Sequence, residues 1–181
     1  MKYDTPKIIT DRLILMRGSF EDYVKVYEFD FRFLRDICGD FRYVRQDPEN
    51  IRGFETYADE DDAMDWIIYL KDGTLPIGNI IADRPDAEVN GIELSFNLHP
   101  DYWGNEYMKE AAVGVMRYLF SLGFDNVLCG YSDGNRKSKR VSEKLGFEPF
   151  KVKEEAWFKD GQPITDYLLI ISKERFSELF G

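Results

Sequence analysis

Between His99 and Ala112 the chain reads HPDYWGNEYMKEAA, a stretch with the punctuation of a strand-to-helix turn that cradles phosphate. The first turn of a helix offers unpaired N–H groups and the positive end of its dipole, so anions settle there. One residue fits badly: Glu106 puts a carboxylate in the middle of the turn. Held about 5 Å from a phosphate charge, it would cost roughly 1 to 3 kcal/mol at effective dielectric constants between water and a protein surface. A side chain turned outward reduces that cost, and this is the expected arrangement, because Glu106 reads as part of the first helical turn, where carboxylates are favoured. The densest positive cluster lies further on in NRKSKR, with Arg136, Lys137, Lys139 and Arg140. It reads equally as a phosphate partner and as a solvated helix face, and helical spacing lets at most about half of it face one ligand.

These residues need elements to position them. The 181 residues are 44% hydrophobic and 15% aromatic, enough for one sizeable core and too few for two ordinary domains, so residues 1–181 are read as a single domain. DRLILMR alternates as a strand buried on both faces would, and GSFEDYVKVYEF follows as a helix with Ser19 at its N-cap. Two short helices, RFLRDICG and PENIRGFETYA, are expected between Asp30 and Asp62, ending in the acidic turn ADEDD. AMDWIIYL, TLPIGNIIAD and GIELSFNL then read as three meandering strands. NEYMKEAAVGVMRYLFSLG is a long amphipathic helix stopped at Gly123, and NVLCGYS a short buried strand. NRKSKRVSEKLG is a helix from Asn135 to Gly146, and FEPFKVKEEAWF with PITDYLLIIS a closing hairpin. The sum is an α/β (α+β) fold, a mixed and mostly antiparallel sheet of six to seven strands with helices on both faces.

Composition excludes several classes of function. With 34 acidic against 24 basic residues the formal charge is -10, which argues against nucleic acid as a partner. No apolar run approaches the roughly 20 residues that span a bilayer, so no membrane role is expected. One histidine, His99, and two distant cysteines, Cys38 and Cys129, build no metal set. His99 reads as a turn residue, Cys129 as a small buried hydrophobe, and Trp66, Trp103 and Trp157 as core or cleft wall. The absence of a signal segment and the cysteine usage suggest a cytoplasmic protein with reduced thiols.

IELSFNLHPDYWGNEYMKEA resembles the strand, loop and helix that bind acetyl-CoA in the GNAT superfamily of N-acetyltransferases, most closely the branch that acetylates the N-termini of ribosomal proteins. Glu93, Phe96, Pro100, Tyr102, Trp103, Gly104, Tyr107, Glu110 and Ala111 stand in the matching places. Thr10 to Arg17, Asn135, Ser138, Gly146, Phe147 and Tyr167 match the branch over the rest of the chain. Glu106 departs from it, standing where the family has the glycine that approaches the pyrophosphate, and Met108 stands where Gly or Ala is common.

The resemblance implies acetyl-CoA as cofactor and acyl donor, and a primary amine, a protein N-terminus or a small amine, as acceptor. Cofactor contacts are then expected from Phe96, Leu98, Trp103, Gly104, Asn105, Glu106, Tyr107, Met108, Asn135, Ser138 and Arg136. Acyl transfer needs a neutral amine, whereas a lysine with a pKa of about 10.4 is almost wholly protonated at neutral pH. Glu93, a carboxylate in an otherwise apolar strand, is the candidate base, directly or through a water; the alternative is a glutamate on the solvent face. Ser138 or Tyr131 could protonate the departing thiolate, and the N–H groups of Phe96 and Leu98 could hold the thioester carbonyl. The plainer reading makes Ser138 a first-turn serine and Asn135 an N-cap. Acceptor choice is expected from Phe31 to Asp62. A non-catalytic acyl-CoA-binding module with a degraded phosphate loop remains the alternative function. Exposed sheet edges make a homodimer plausible.

Overall fold

The computed structural model describes residues 3–26 and 63–181. Its strands are β1 (Ile8–Ile9), β2 (Leu13–Met16), β3 (Met64–Leu70), β4 (Pro76–Asp86), β5 (Gly91–Leu98), β6 (Asn126–Ser132), β7 (Glu148–Lys159) and β8 (Gln162–Ser172). The helices are α1 (Phe20–Val26), α2 (Tyr107–Ser121), α3 (Arg136–Lys144) and α4 (Lys173–Phe180), with a 3-10 turn at Pro100–Tyr102. The eight strands form one sheet in the order β1-β2-β3-β4-β5-β6-β8-β7. Every neighbouring pair is antiparallel except β5 with β6.

The meander of β3, β4 and β5 forms because its segments are β-branched and apolar on both sides of the chain. In β3, Trp66 and Ile68 enter the main core while Ile67 and Tyr69 enter a second, smaller one with Tyr23 and Val26 of α1. The main core lies under α2, where Ala111, Ala112, Val115, Met116 and Leu119 are fully buried. Helices therefore cover both faces. Ser19 caps α1 as expected: its hydroxyl oxygen accepts from the Asp22 N–H at 3.4 Å, and its own N–H donates to Asp22 Oδ2 at 2.9 Å. Trp66 is core, its indole N–H donating to the Pro6 carbonyl at 2.8 Å, and Cys129 is buried beneath α3.

Three expectations change. The sheet has eight strands rather than six or seven, because the two residues of β1 are too few to show any periodicity. In β2 only Leu13 and Leu15 are buried; Ile14 is half-buried against the second core, and Met16 is exposed. Helix α4 was not expected; Ser172 caps it by accepting from the Arg175 N–H at 3.2 Å, and Phe176 anchors it. The two short helices expected between Asp30 and Asp62, the acceptor-selecting segment and Cys38 lie outside the described residues.

Candidate functional site

The parallel pair β5 and β6 is joined only where Gly91 to Leu94 face Asn126 to Cys129. Beyond Leu94 the strands are no longer paired. The His99 N–H donates to the Ile77 carbonyl at 2.8 Å, so β5 has its odd-numbered amides turned to β4 here. By alternation those of Phe96 and Leu98 turn into the opening. The Leu98 carbonyl, on the same side, accepts from the Trp103 indole at 2.7 Å, which fixes that ring at the edge of the gap. A cavity of about 420 Å³ occupies this opening, bounded by the end of β5, the 103–106 loop, the start of α2 and one face of α3.

The loop reaches α2 through two left-handed residues, Gly104 at φ 82° and Glu106 at φ 62°. Glycine adopts that conformation freely; a glutamate there is uncommon. Glu106 is the N-cap of α2 rather than a first-turn residue, and its side chain makes no cap hydrogen bond. The first intrahelical bond, from the Glu110 N–H to the Glu106 carbonyl, is 3.0 Å long, so the amides of Tyr107, Met108 and Lys109 precede it. The Glu106 carboxylate pairs with Lys144 at the end of α3, and both residues line the cavity, so it does not turn away from the site as expected. That hydrogen bond holds it below the usual carboxylate range.

The loop is braced from the far end of the chain. Glu110 Oε1 accepts from the Thr10 hydroxyl at 2.5 Å and the Arg12 N–H at 2.7 Å, while Oε2 accepts from Arg12 Nε at 2.6 Å. Arg12 Nη1 donates to the Asn105 carbonyl at 3.0 Å, and its guanidinium lies 4.6 Å from the centre of the Tyr107 ring. Thr10 and Glu110 are visible in the sequence as matched positions, but nothing there says that they touch.

Helix α3 supplies the other wall. Asn135 is its N-cap, with Oδ1 accepting from the Ser138 N–H at 3.1 Å, and both residues also line the cavity. Of the NRKSKR cluster, Lys137 and Arg140 line it, while Arg136 and Lys139 are exposed and absent from the lining. Lys144 continues the lining face one turn further on. Lys137 Nζ sits 3.4 Å from the centre of the Trp103 ring, a cation over an aromatic face that spans helix and loop. Tyr131 lies off the lining, stacked on Tyr167 with ring centres 5.0 Å apart. Helical spacing from Lys137 through Arg140 to Lys144 would have located the third cation.

Glu93 occupies the opposite face. Ile92 and Leu94 are buried in the main core, so Glu93 and Ser95 turn the other way. Its carboxylate lies beside Gly130, at the point where β5 and β6 separate. Arg84 Nη2 is 3.2 Å from Glu93 Oε1 and 3.3 Å from the Ser95 hydroxyl, and Arg84 Nε is 3.3 Å from Asp83 Oδ1. Burial pushes the Glu93 carboxyl above its ordinary value; Arg84 opposes this, and Asp83 and Asp166 add to it. Asp166 Oδ1 accepts from the Ser132 hydroxyl at 2.6 Å and the Trp157 indole at 3.1 Å. Further along the face, Asp65 is fully buried with Tyr23 and Asn79 as donors, and burial pushes it up to about 7. Among the described residues no cluster of histidine, cysteine and carboxylates could hold a metal, and no helix is long and apolar enough to cross a membrane.

Comparison with known proteins adds three observations. The family model of the acetyltransferase (GNAT) domain matches residues 12–148. A Bacillus subtilis (strain 168) protein named as an uncharacterized N-acetyltransferase, YoaA, is 25% identical over 174 residues, covering 94% of this chain and 98% of that one. Two solved structures share the fold. RimL, a ribosomal L7/L12 alpha-N-protein acetyltransferase in complex with coenzyme A, superposes with a TM-score of 0.79 at 12% identity, over 94% of this chain and 99% of its own. The microcin C7 self-immunity acetyltransferase MccE, in complex with acetyl-CoA and AMP, gives 0.74 at 14% identity, over 90% and 93%.

Proposed function

We propose, since the chain belongs to the GNAT acetyltransferase family, that it moves an acetyl group from acetyl-CoA to a primary amine held beside it in one ternary complex. The observation that carries this reading is the opening between β5 and β6, with cations and helix amides on one face and a raised carboxylate on the other. Acetyl-CoA suits the first face: the amides from Tyr107 to Lys109 and the side chains of Lys137 and Arg140 match its phosphates, and Trp103 flanks its pantetheine arm. When bound it would supply the activated acyl carbon.

The chain's own groups then do the rest. The N–H groups of Phe96 and Leu98 hold the carbonyl oxygen as negative charge develops on it. Glu93, through a water, accepts the proton that the amine nitrogen loses as its bond to the acyl carbon forms and the carbon–sulfur bond breaks. Burial makes Glu93 a stronger base than a solvated carboxylate. The departing sulfur takes a proton from a hydroxyl, which regains one from solvent; Ser138 is on the cavity lining, whereas Tyr131, the other candidate, lies off it against the main core. The acceptor is a protein N-terminus or a small amine.

The test is thiol release from acetyl-CoA in the presence of N-terminal peptides and small amines, with the product identified by mass. Amine-dependent release with an acetylated product is the expected result. Binding of acetyl-CoA without acetylation of any amine would favour the non-catalytic acyl-CoA-binding module, which the glutamate in the phosphate loop suggests.

A further inference from the structure

The backbone at residue 106 suits glycine, yet a carboxylate stands there, and it neither caps α2 nor hangs free in solvent. It reaches from the start of α2 to Lys144 at the end of α3, joining the two helices that wall the cavity. The loop beneath it is fixed, because Arg12 holds both the Asn105 carbonyl and Glu110. The two side chains are each nearly half exposed, at 46% for Glu106 and 47% for Lys144, so the pair is screened and opens readily.

We propose that Glu106 is an internal anion latched to Lys144, and that the phosphates of the acyl donor bind by taking Lys144 from it. This rests on the acetyl-CoA reading of the cleft and sharpens it. In the free protein the latch satisfies a cation that would otherwise stand unpaired on the cleft wall. On binding, Lys144 exchanges one oxyanion for another, and the released Glu106 carboxylate is left near the incoming negative charge. Glu106 therefore lowers the affinity for the donor in proportion to the phosphate charge, without changing the shape of the cavity. Because Lys144 keeps Glu106 well ionised, the latch persists into acid solution.

Calorimetric titration of the full chain with acetyl-CoA tests this. Glu106→Gln keeps the length of the side chain and removes its charge; it is expected to tighten binding about tenfold, and Lys144→Met to weaken it about tenfold. Lys139→Met removes a cation from the same helix but outside the lining, and is expected to stay within about twofold of wild type. A Glu106→Gln protein that binds no more tightly than wild type overturns the latch alone, as does a Lys139→Met effect equal to that of Lys144→Met. If neither wild type nor Glu106→Gln binds acetyl-CoA at millimolar concentration, both the latch and the acetyl-CoA reading fall.

Discussion

On one side of the opening between β5 and β6, Lys137, Arg140 and Lys144 of α3 line a cavity; on the other, β5 carries Glu93, with Asp83 and Asp166 acting on it through space. A single strand feeds both sides. Period-two alternation sends Glu93 to one face of the sheet, while the amides of Phe96 and Leu98 point along the sheet into the gap. A protein of formal charge -10 thus keeps a basic cleft by gathering cations onto one helix face. The difference between the sides suits the polyanionic donor on one and the proposed amine acceptor on the other, and predicts that each side can be damaged without the other.

The largest separation is expected from Glu93→Gln. It should lower kcat/KM by about 10²-fold while leaving the Kd for acetyl-CoA within about twofold. Because the proposed base must be ionised and burial raises it, wild-type kcat/KM should rise with pH through a value above that of an ordinary glutamate, and that limb should vanish in the variant. A variant that loses donor affinity instead would move Glu93 to the donor side.

Asp65 should show a smaller effect, on stability alone. Its folded value of about 7 lies well above the value of about 3.9 for an unfolded aspartate, so between these values the native state keeps a proton that the unfolded chain has released. Stability therefore falls as pH rises through that window. Asp65→Asn should melt several degrees above wild type at pH 8, with the gap closing towards pH 4; parallel melting curves would show that Asp65 carries no such penalty. The smallest effect belongs to Lys137→Met, which should weaken acetyl-CoA about threefold through loss of its charge and its contact with Trp103, with kcat unchanged.

Much of this architecture is legible in the sequence, since the strands of the meander, α2 with its apolar stripe, and the Asn135 cap all announce themselves by periodicity or by a capping side chain. What stays hidden depends on phase and on distance along the chain. Each residue turns a helix by about 100°, so composition alone cannot say that Lys137 faces the cavity while Arg136 does not. Glu106 is misplaced by one position because helix ends are ambiguous at that scale, and nothing about a glutamate signals a left-handed backbone. Arg84, the partner of Glu93, is likewise left-handed, at φ 51°, within a strand irregularity that no alternation pattern reveals. Contacts such as Thr10 with Glu110 exist only once the sheet has assembled.

That last contact bears on the order in which the protein can be built. The ion pair between Arg12 and Glu110 closes a loop of 98 residues, so the phosphate turn is secured by a segment synthesised long before it. Closure over such a span is entropically unfavourable until the intervening strands are in place. The turn is therefore expected to form late in folding, when the outer edge of the sheet docks, and a chain without its first strands should lose the support of the candidate donor site while keeping every residue that lines it.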